Sequence, residues 1–246
     1  MKLNLFNTIL TFFLFIFFSM LSYSQENINV ADATGKKQGT WIKKDSKGNI
    51  IYKGFFKDNI PQGKFIYYDT TGKVKAISEF SENGTRTYST LYDNGIKISE
   101  GVYLNEKKDG VWKYYNQDSV VIAEEVYDKG IPKGTWKTYY ANGELLEEMP
   151  YSNGVKNGTW LQYFYDGRIK TKATYENGLL EGLATFYHPN GRVFISGPYL
   201  HNLKDGIWMH FNDKGVTEKK EIWKRGYLES EEYFDKKLEK MVKEEK

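Results

Sequence analysis

The sequence contains no cysteine and little proline, and both absences restrict what the chain can be. Without cysteine there is no disulfide framework, no thiol nucleophile, no cysteine metal site and no lipid-modified cysteine anchor. Five prolines stand against 23 glycines, so the turns must be built by glycine. The net charge of +3 at pH 7 provides no electrostatic basis for nucleic-acid binding, and we expect no nucleic-acid partner.

Residues for catalysis are also scarce. The three histidines, His188, His201 and His210, share neither a repeat position nor the spacing of metal ligands. Two carboxylate pairs, Glu124-Glu125 and Glu147-Glu148, would point to opposite faces of a strand and form no acid–base pair. The glycines precede predicted strands and not helices, so there is no phosphate loop. We predict no catalytic residue, no metal, no cofactor and no enzymatic activity.

Long hydrophobic runs are missing except at the N-terminus. An apolar run from Ile9 to Leu21 follows Lys2, and two serines stand at positions −3 and −1 of a plausible cut before Gln25. This layout is typical of a signal peptide over residues 1–25. The alternative is an uncleaved anchor, although the run is shorter than the roughly 20 residues that span a bilayer. Either interpretation predicts an exported chain, periplasmic or extracellular.

The sequence does have a repeat of about 24 residues, which three columns define. The first column is the aromatic residue of a Gly-x-aromatic motif, at Trp41, Phe65, Trp112, Trp136, Trp160 and Trp208. The second column is a turn glycine, at Gly48, Gly72, Gly95, Gly143, Gly167, Gly191 and Gly215. The third column is aromatic in all eight repeats, at Phe56, Phe80, Tyr103, Tyr127, Tyr151, Tyr175, Tyr199 and Trp223.

Three positions depart from the pattern. Ser119 replaces a turn glycine, and Ala184 replaces a first-column ring. The third repeat is one residue short, with Arg86-Thr87-Tyr88 in the slot of the Gly-x-aromatic motif. We predict that the missing residue belongs to the loop Ser81–Thr87, because Phe80 and Tyr88 are eight residues apart where other repeats have nine.

Each repeat is predicted to be a β-hairpin. In the fifth repeat, a β-prone segment at 135–140 and a second at 144–151 flank Ala141-Asn142-Gly143, and Asn-Gly is a strong hairpin signal. The fold class is therefore all-β, an elongated, twisted antiparallel meander of about 16 strands. We expect both aromatic columns on one face as a ladder of rings. The glycine before each first-column ring would allow a bulge or let a neighbouring ring lie over bare backbone.

The repeats need ends, because a stacked array exposes its terminal units. Residues 26–38 are predicted to form an N-terminal capping half repeat, and the eight hairpin repeats occupy 39–230. Residues 231–246 leave the pattern and form a charged amphipathic cap or tail. Their apolar residues have helical spacing, which favours a short C-terminal helix, with a solvated tail as the alternative.

The repeat resembles the MORN repeat. The stretch from Tyr151-Ser152-Asn153-Gly154 through Gly158-Thr159-Trp160 to Asp166-Gly167 is similar to the bacterial MORN variant, in which Trp or Phe stands where ordinary units have a second glycine. The resemblance implies an interaction scaffold whose protein partner is unknown. Some variant proteins are grouped as antitoxins of toxin–antitoxin pairs, and ordinary arrays have been linked to phospholipid or protein binding.

The predicted function is therefore a non-enzymatic protein-interaction or scaffold module of the bacterial cell envelope or exterior. One alternative is an antitoxin-like immunity component. A second is a module that binds a phospholipid surface or a glycan, since rings on a curved sheet suit sugars. The competing interpretation of the rings is that they form the core, because the fold has little else to bury.

Overall fold

The computed structural model describes residues 27–81 and 83–234, and all regular elements in this part are strands. The predicted signal peptide, 1–25, lies outside the described residues. The strands are β1 Val30–Ala31, β2 Lys37–Lys44, β3 Ile50–Lys57, β4 Ile60–Tyr68, β5 Val74–Phe80, β6 Arg86–Asp93, β7 Ile96–Leu104, β8 Lys107–Tyr115, β9 Val121–Asp128, β10 Ile131–Pro132, β11 Gly134–Tyr139, β12 Leu145–Ser152, β13 Val155–Lys156, β14 Gly158–Tyr163, β15 Ile169–Glu176, β16 Leu179–Tyr187, β17 Val193–Leu200, β18 Leu203–Lys204, β19 Gly206–Phe211, β20 Thr217–Lys224 and β21 Tyr227–Tyr233.

The strands form one open antiparallel sheet in which each hairpin pairs with the next. The short strands β10, β13 and β18 are each separated by a single residue from the longer strand that follows, so each pair acts as one strand. Eight hairpins result, flanked by β1 and β21, and the predicted all-β meander is confirmed. Among the described residues, no helix has the length and apolarity to cross a membrane.

The two ends of the array differ from the prediction in detail. Val30 and Ala31 of the expected half repeat pair with Gln38 and Lys37, which adds one short strand before the first hairpin. At the other end β21 pairs with β20 as far as Tyr233, so the sheet continues three residues past the predicted boundary at 230. The rest of the predicted C-terminal helix, from residue 235 onward, lies outside the described residues.

Two kinds of turn alternate along the chain. Between repeats the turns have two central residues with positive φ, as at Asn153 (φ 50°) and Gly154 (φ 87°), which is the type I′ geometry that suits the twist of a hairpin. Within the fifth repeat, Tyr140 accepts a backbone hydrogen bond from Gly143, and only Gly143 has positive φ. The predicted Asn-Gly turn is present there, but it is a three-residue turn with a bulge.

The glycine before each first-column ring forms a bulge. Gly134 has φ 63°, and the pairing of its strand with the preceding strand slips there. From the pair Pro132–Tyr127 to the pair Lys137–Glu124, this strand advances by five positions and the preceding strand by three. A Cβ at Gly134 would approach only Val126, at 3.8 Å, so no ring lies over this glycine. The bulge is therefore the correct one of the two predicted roles.

Both aromatic columns lie on the same face, which we call the ladder face. The Trp136 ring centroid is 5.3 Å from that of Tyr127 and 4.5 Å from that of Tyr151. Phe65 likewise stands between Phe56 and Phe80, so these first-column rings lie between the third-column ring of the preceding repeat and that of their own. The buried side chains of the described chain all lie on this face. The opposite face, which we call the open face, carries solvent-exposed residues such as Val111 and Leu183.

A second set of glycines, not predicted, holds the most deeply buried rings. An added Cβ would lie 2.3 Å from the Phe65 ring at Gly54, 2.5 Å from Trp112 at Gly101 and 2.3 Å from Trp208 at Gly197. Each of these glycines stands two residues before a third-column ring, and it supports the ring of the next repeat. We call this position the seat. The three seated rings are at most 2% exposed.

Where the seat is larger, the ring is less buried. Glu125 and Met149 occupy the seats before Trp136 and Trp160, and both indoles are only half-buried. In the two repeats without a first-column ring, the seat and its occupant are both small. Ser78 stands opposite Ser89, and Ala173 contacts Ala184. The depth of each ring is thus determined by a residue of the preceding hairpin.

The structure corrects the alignment of the third repeat. Ser89 pairs with Gly101 as Trp112 pairs with Glu125, so Ser89, and not Tyr88, takes the position of the ring. Tyr88 lies on the open face and is 46% exposed. The missing residue belongs to the β6–β7 turn, which has two residues, Asn94 and Gly95, where the corresponding turns have three. The prediction that it belongs to the loop Ser81–Thr87 was wrong.

The third repeat also lacks the bulge that other repeats have, and the reason is Thr87. Thr87 pairs with Tyr103 as Gly63 pairs with Phe80, so a threonine occupies the bulge position. A β-branched residue avoids the positive φ of this bulge, and β5 and β6 pair without a shift. The two residues that a bulge would absorb instead enlarge the loop Ser81–Arg86. Sequence spacing alone does not show whether the missing residue belongs to the loop before β6 or to the turn after it.

We expect Trp112→Ala to lower the free energy of unfolding by about 3–5 kcal/mol, because it empties a fully buried site. Chemical denaturation monitored by circular dichroism measures the change. Val111→Ala is the matched control on the same strand. Val111 is 50% exposed on the open face, so its truncation should change stability by less than about 0.5 kcal/mol. Equal losses in the two variants would contradict the assignment of the core to the ladder face.

Candidate functional site

The missing ring of the third repeat leaves a cleft in the ladder face. Phe80 and Tyr103 are the third-column residues on either side of it, and in the fifth repeat Trp136 fills the equivalent space. The cleft has a volume of about 760 Å³, within the usual range of ligand sites. Its lining consists of Asn59, Ile60, Pro61, Ser78, Phe80, Asn83, Gly84, Thr85, Thr87, Ser89, Tyr103, Asn105 and Glu106.

Hydroxyl groups form the floor of the cleft. The Oγ atoms of Ser78 and Ser89 are 2.8 Å apart, and both serines and Thr87 are buried. A hydroxyl carries one donor hydrogen and two acceptor lone pairs, so a pair of serines that bond each other still has capacity for a ligand. The floor is therefore polar at a depth where other repeats place a ring.

The walls of the cleft are braced from behind by other rings. The Phe80 ring lies 4.9 Å from Phe65, and the Tyr103 ring lies 4.7 Å from Trp112, both edge to face. Because Phe65 and Trp112 occupy glycine seats, the two wall rings rest on the most buried part of the sheet. The walls are thus fixed before any ligand arrives.

The loop of the third repeat forms the rim. The Asn83 Oδ1 atom accepts hydrogen bonds from the Ser81 hydroxyl and from the Thr85 backbone. Asn105 donates its backbone N–H to the Thr85 carbonyl at 2.8 Å. Gly84 packs closely on the preceding turn, since an added Cβ would be 2.9 Å from Ile60 Cγ2. Through Gly84 and Thr85, the loop is therefore in contact with both neighbouring turns.

A smaller cavity lies near the other repeat that lacks a ring. It has a volume of about 320 Å³, and its walls include Phe186, Tyr199 and Trp208. Ala173 and Ala184 are buried together in the adjoining apolar cluster. The two repeats without a ring thus differ. The seventh repeat packs alanines into an apolar cluster, whereas the third repeat has hydroxyls at the floor of a larger cleft.

The predicted carboxylate pairs split between the two faces as expected. Glu125 accepts hydrogen bonds from the Tyr114 and Tyr127 hydroxyls on the ladder face, whereas Glu124 accepts one from Tyr139 on the open face. Burial, together with the bond to Glu124, raises the pKa of Tyr139 to about 12. These carboxylates accept hydrogen bonds from tyrosine hydroxyls. They lie on opposite faces and are not placed as an acid and a base for one substrate.

The three histidines lie apart, with different partners. His188 Nε2 is 2.8 Å from the Phe211 carbonyl, and the exposed His201 has its Nε2 3.4 Å from Glu181 Oε1. His210 Nε2 is 3.3 Å from Glu221 Oε2. Within 27–81 and 83–234, no group of three or more acidic or histidine side chains is arranged to hold a metal ion.

Glu221 is the centre of a charged cluster on the ladder face of the eighth repeat. Burial acts to raise the pKa of Glu221, but hydrogen bonds from Lys219 and Trp223, the nearby His210 and the charge of Lys204 outweigh it and lower the pKa to about 2. Burial in the same cluster lowers the pKa of His210, against the opposing effect of Glu221. Glu221 occupies the seat position of the eighth repeat. Its carboxylate is thus a structural anion that holds the surrounding side chains in place.

The residues predicted from the repeat columns are structural. Trp41, Trp136 and Trp160 are half-buried on the ladder face, and Phe65, Trp112 and Trp208 are buried there. The turn glycines all have positive φ. Sequence reasoning missed Ser78 and Ser89. The available signal was the nine-residue step from each third-column ring to the next first-column position, which leads from Phe80 to Ser89.

Comparison with known families identifies the hairpins. The sequence profile of the MORN repeat variant matches residues 61–82, 132–153, 156–177 and 180–201, and each matched segment covers one hairpin. These four hairpins are MORN-variant repeats. The MORN repeats indicate a repeat protein that serves interaction. No curated protein matches the chain.

Solved structures similar to this MORN-variant chain include two of TarM. One is a mutant of S. aureus TarM in complex with fondaparinux, alpha-GlcNAc-glycerol and UDP, with a TM-score of 0.32 and 20% identity over 48% of this chain and 21% of that chain. The other is TarM, with a TM-score of 0.29 and 16% identity over 67% of this chain and 27% of that chain. The MORN-variant chain thus corresponds to a minor part of each, and the likeness carries no functional conclusion.

The pKa of Glu221 predicts a pH dependence of stability. A carboxyl whose pKa is about 2 in the folded chain, against an ordinary 4.5, stabilises the fold above pH 4.5, and this contribution is lost as pH falls towards 2. Glu221→Gln should therefore be less stable than the wild type at pH 7, and the difference should shrink between pH 4.5 and 2. Thermal unfolding across this range measures it.

Glu229→Gln is the control, because Glu229 belongs to an exposed ion pair with Lys224 that contributes little at any pH. A stability difference between the wild type and Glu221→Gln that stays constant from pH 7 to pH 2 would contradict the structural role of Glu221.

Proposed function

We propose that this protein is a non-catalytic scaffold that binds another protein through the open face of its sheet. The observation that carries the proposal is an apolar patch on that face in the last two repeats. Leu183 is 65% exposed and Ile207 is 51% exposed, although both lie in the middle of strands. Exposed contiguous apolar surface of this kind marks interaction sites in soluble proteins.

The patch is continuous across four neighbouring strands. Leu183 pairs with Pro198, and Ile207 pairs with Ile222. Between the two hairpins, a Cβ added at Gly206 would lie 3.1 Å from Pro198 Cγ. The Leu183–Pro198 pair and the strand of Ile207 are therefore in contact. In the fifth and sixth repeats the same column holds exposed threonines, Thr135 and Thr159. Since Val111 in the fourth repeat is apolar and 50% exposed, the column is apolar in some repeats and polar in others.

Outside the patch, the open face carries ion pairs and tyrosines, with single exposed apolar residues such as Val111. Lys113 Nζ lies 3.5 Å from Glu124 Oε1, and Lys137 Nζ lies 3.7 Å from Glu148 Oε1. Charges of both signs alternate, which favours a protein partner over an anionic lipid surface. A rim of paired charges around an apolar centre is the usual composition of a protein interface.

The proposed location is the bacterial cell envelope or exterior. It rests on the apolar run from Ile9 to Leu21 after Lys2, with small residues before Gln25. A scaffold at that location needs neither cysteine chemistry nor a cofactor, which agrees with a chain that lacks cysteine. The mass of the protein recovered from its own cells, with or without residues 1–24, tests this part of the proposal.

If the partner binds the apolar patch of the open face, charged substitutions in that patch should abolish its binding. The full chain with a C-terminal tag is expressed in its own cells, cross-linked and purified, and the recovered proteins are quantified by mass spectrometry. Leu183→Asp combined with Ile207→Asp should reduce recovery of the specific partner at least tenfold, because charges placed in an apolar interface are not solvated.

The matched control is Thr135→Asp combined with Thr159→Asp, which adds the same charge to the same column of the fifth and sixth repeats. This control should retain the partner. Equal loss in both double variants, or recovery of the same proteins with the patch variant as with the wild type, would overturn the assignment of binding to the patch.

A further inference from the structure

The third and seventh repeats both lack a ring, but they fill its place with different chemistry. The seventh repeat has Ala173 and Ala184, which close into an apolar cluster. The third repeat has Ser78 and Ser89 in the equivalent positions, with a cleft above them of about 760 Å³. Alanine would suffice to replace a ring in a core. Buried hydroxyls at the floor of a cleft therefore indicate a polar ligand.

The walls impose a shape on that ligand. In the fifth repeat the corresponding walls, Tyr127 and Tyr151, have a flat indole between them, with ring centroids 5.3 and 4.5 Å away. Phe80 and Tyr103 take these wall positions in the third repeat. A ligand between them should be a ring or a flat segment whose two faces are apolar C–H surfaces, because such faces gain dispersion contacts with aromatic walls.

The charge of the lining excludes several ligand classes. Among the described residues that line the cleft there is no lysine or arginine, and Glu106 is the one acidic residue. Phosphates and nucleotides would need cationic or helix-terminal partners. The remaining polar groups are hydroxyls and the carboxamides of Asn59, Asn83 and Asn105. Both types pair with neutral hydroxyl groups as donors or acceptors.

We propose that the cleft of the third repeat binds a neutral saccharide, with one sugar ring between Phe80 and Tyr103 and its hydroxyls on Ser78, Ser89 and Thr87. A pyranose combines apolar faces with a polar edge, which matches aromatic walls above a hydroxyl floor. The site is on the ladder face, opposite the apolar patch. Its ligand is thus independent of the protein partner proposed for the open face.

Saturation-transfer difference NMR tests the proposal with the full chain and defined probes. The saccharide probes are maltotriose, cellotriose, chitotriose and xylotriose at millimolar concentration, and indole is the aromatic probe. At least one trisaccharide should receive saturation, and isothermal titration calorimetry then gives its affinity. Absence of transfer to all four would overturn the proposal. Transfer to indole alone would also overturn it, and would indicate that the cleft receives an aromatic side chain of a partner.

Two variants of the third repeat locate the binding. Ser89→Trp restores the ring that other repeats carry and fills the cleft, so saccharide binding should be lost while the circular dichroism spectrum is retained. Ser78→Ala combined with Ser89→Ala removes both hydroxyls without adding volume and should weaken binding about tenfold. The double variant also decides the matter if Ser89→Trp does not fold.

Tyr88→Ala is the matched control, because Tyr88 is adjacent in sequence and lies on the open face. It should leave the affinity for the saccharide unchanged. Undiminished binding in folded Ser89→Trp, or in the double alanine variant, would place the saccharide elsewhere and overturn the assignment to this cleft.

Discussion

The structure depends on one contact, in which the aromatic ring of one repeat lies over the hairpin of the repeat before it. A hairpin alone cannot bury its own face and is marginally stable in water. In this array neighbouring repeats bury each other's surface. Trp112 lies over Gly101 and Trp208 lies over Gly197, so each ring covers the backbone of the preceding repeat. A single-layer sheet can thereby acquire a core without a second layer, and stability becomes a property of adjacent pairs of repeats.

The same contact explains where the array can vary. A ring fits deeply only when its seat is small, so a change at the seat must be matched one repeat later. In the pairs Ser78 with Ser89 and Ala173 with Ala184 the seat is small but no ring fills it, and each pair lies beside a cavity. Clefts on the ladder face therefore arise by removing one ring and need no rearrangement of the strands. The open face is free of this constraint, and its exposed column can change without disturbing the stack.

The sequence predicted the meander, the number of hairpins and the common face of the two aromatic columns, because these follow from a period repeated eight times. It did not predict the seat glycines, since Gly54, Gly101 and Gly197 occur in only some repeats and follow no turn signal. The third repeat was misaligned because the missing residue belongs to the turn at Asn94, while the loop before β6 takes up the two residues that a bulge at Thr87 would absorb. The cleft follows from this correction, and the register of the strands was needed to find it.

The most direct test of the ring and its seat is the free energy of unfolding of Gly101→Ala. Gly101 has no positive φ, so in an ordinary strand alanine would stabilise the chain by about 0.5–1 kcal/mol. Here the added Cβ would meet Trp112 at 2.5 Å, and we predict a loss of about 1–3 kcal/mol. The loss should diminish when Trp112→Leu is also introduced, because a smaller side chain leaves room over the seat. A neutral or stabilising effect of Gly101→Ala would contradict the central role of the contact.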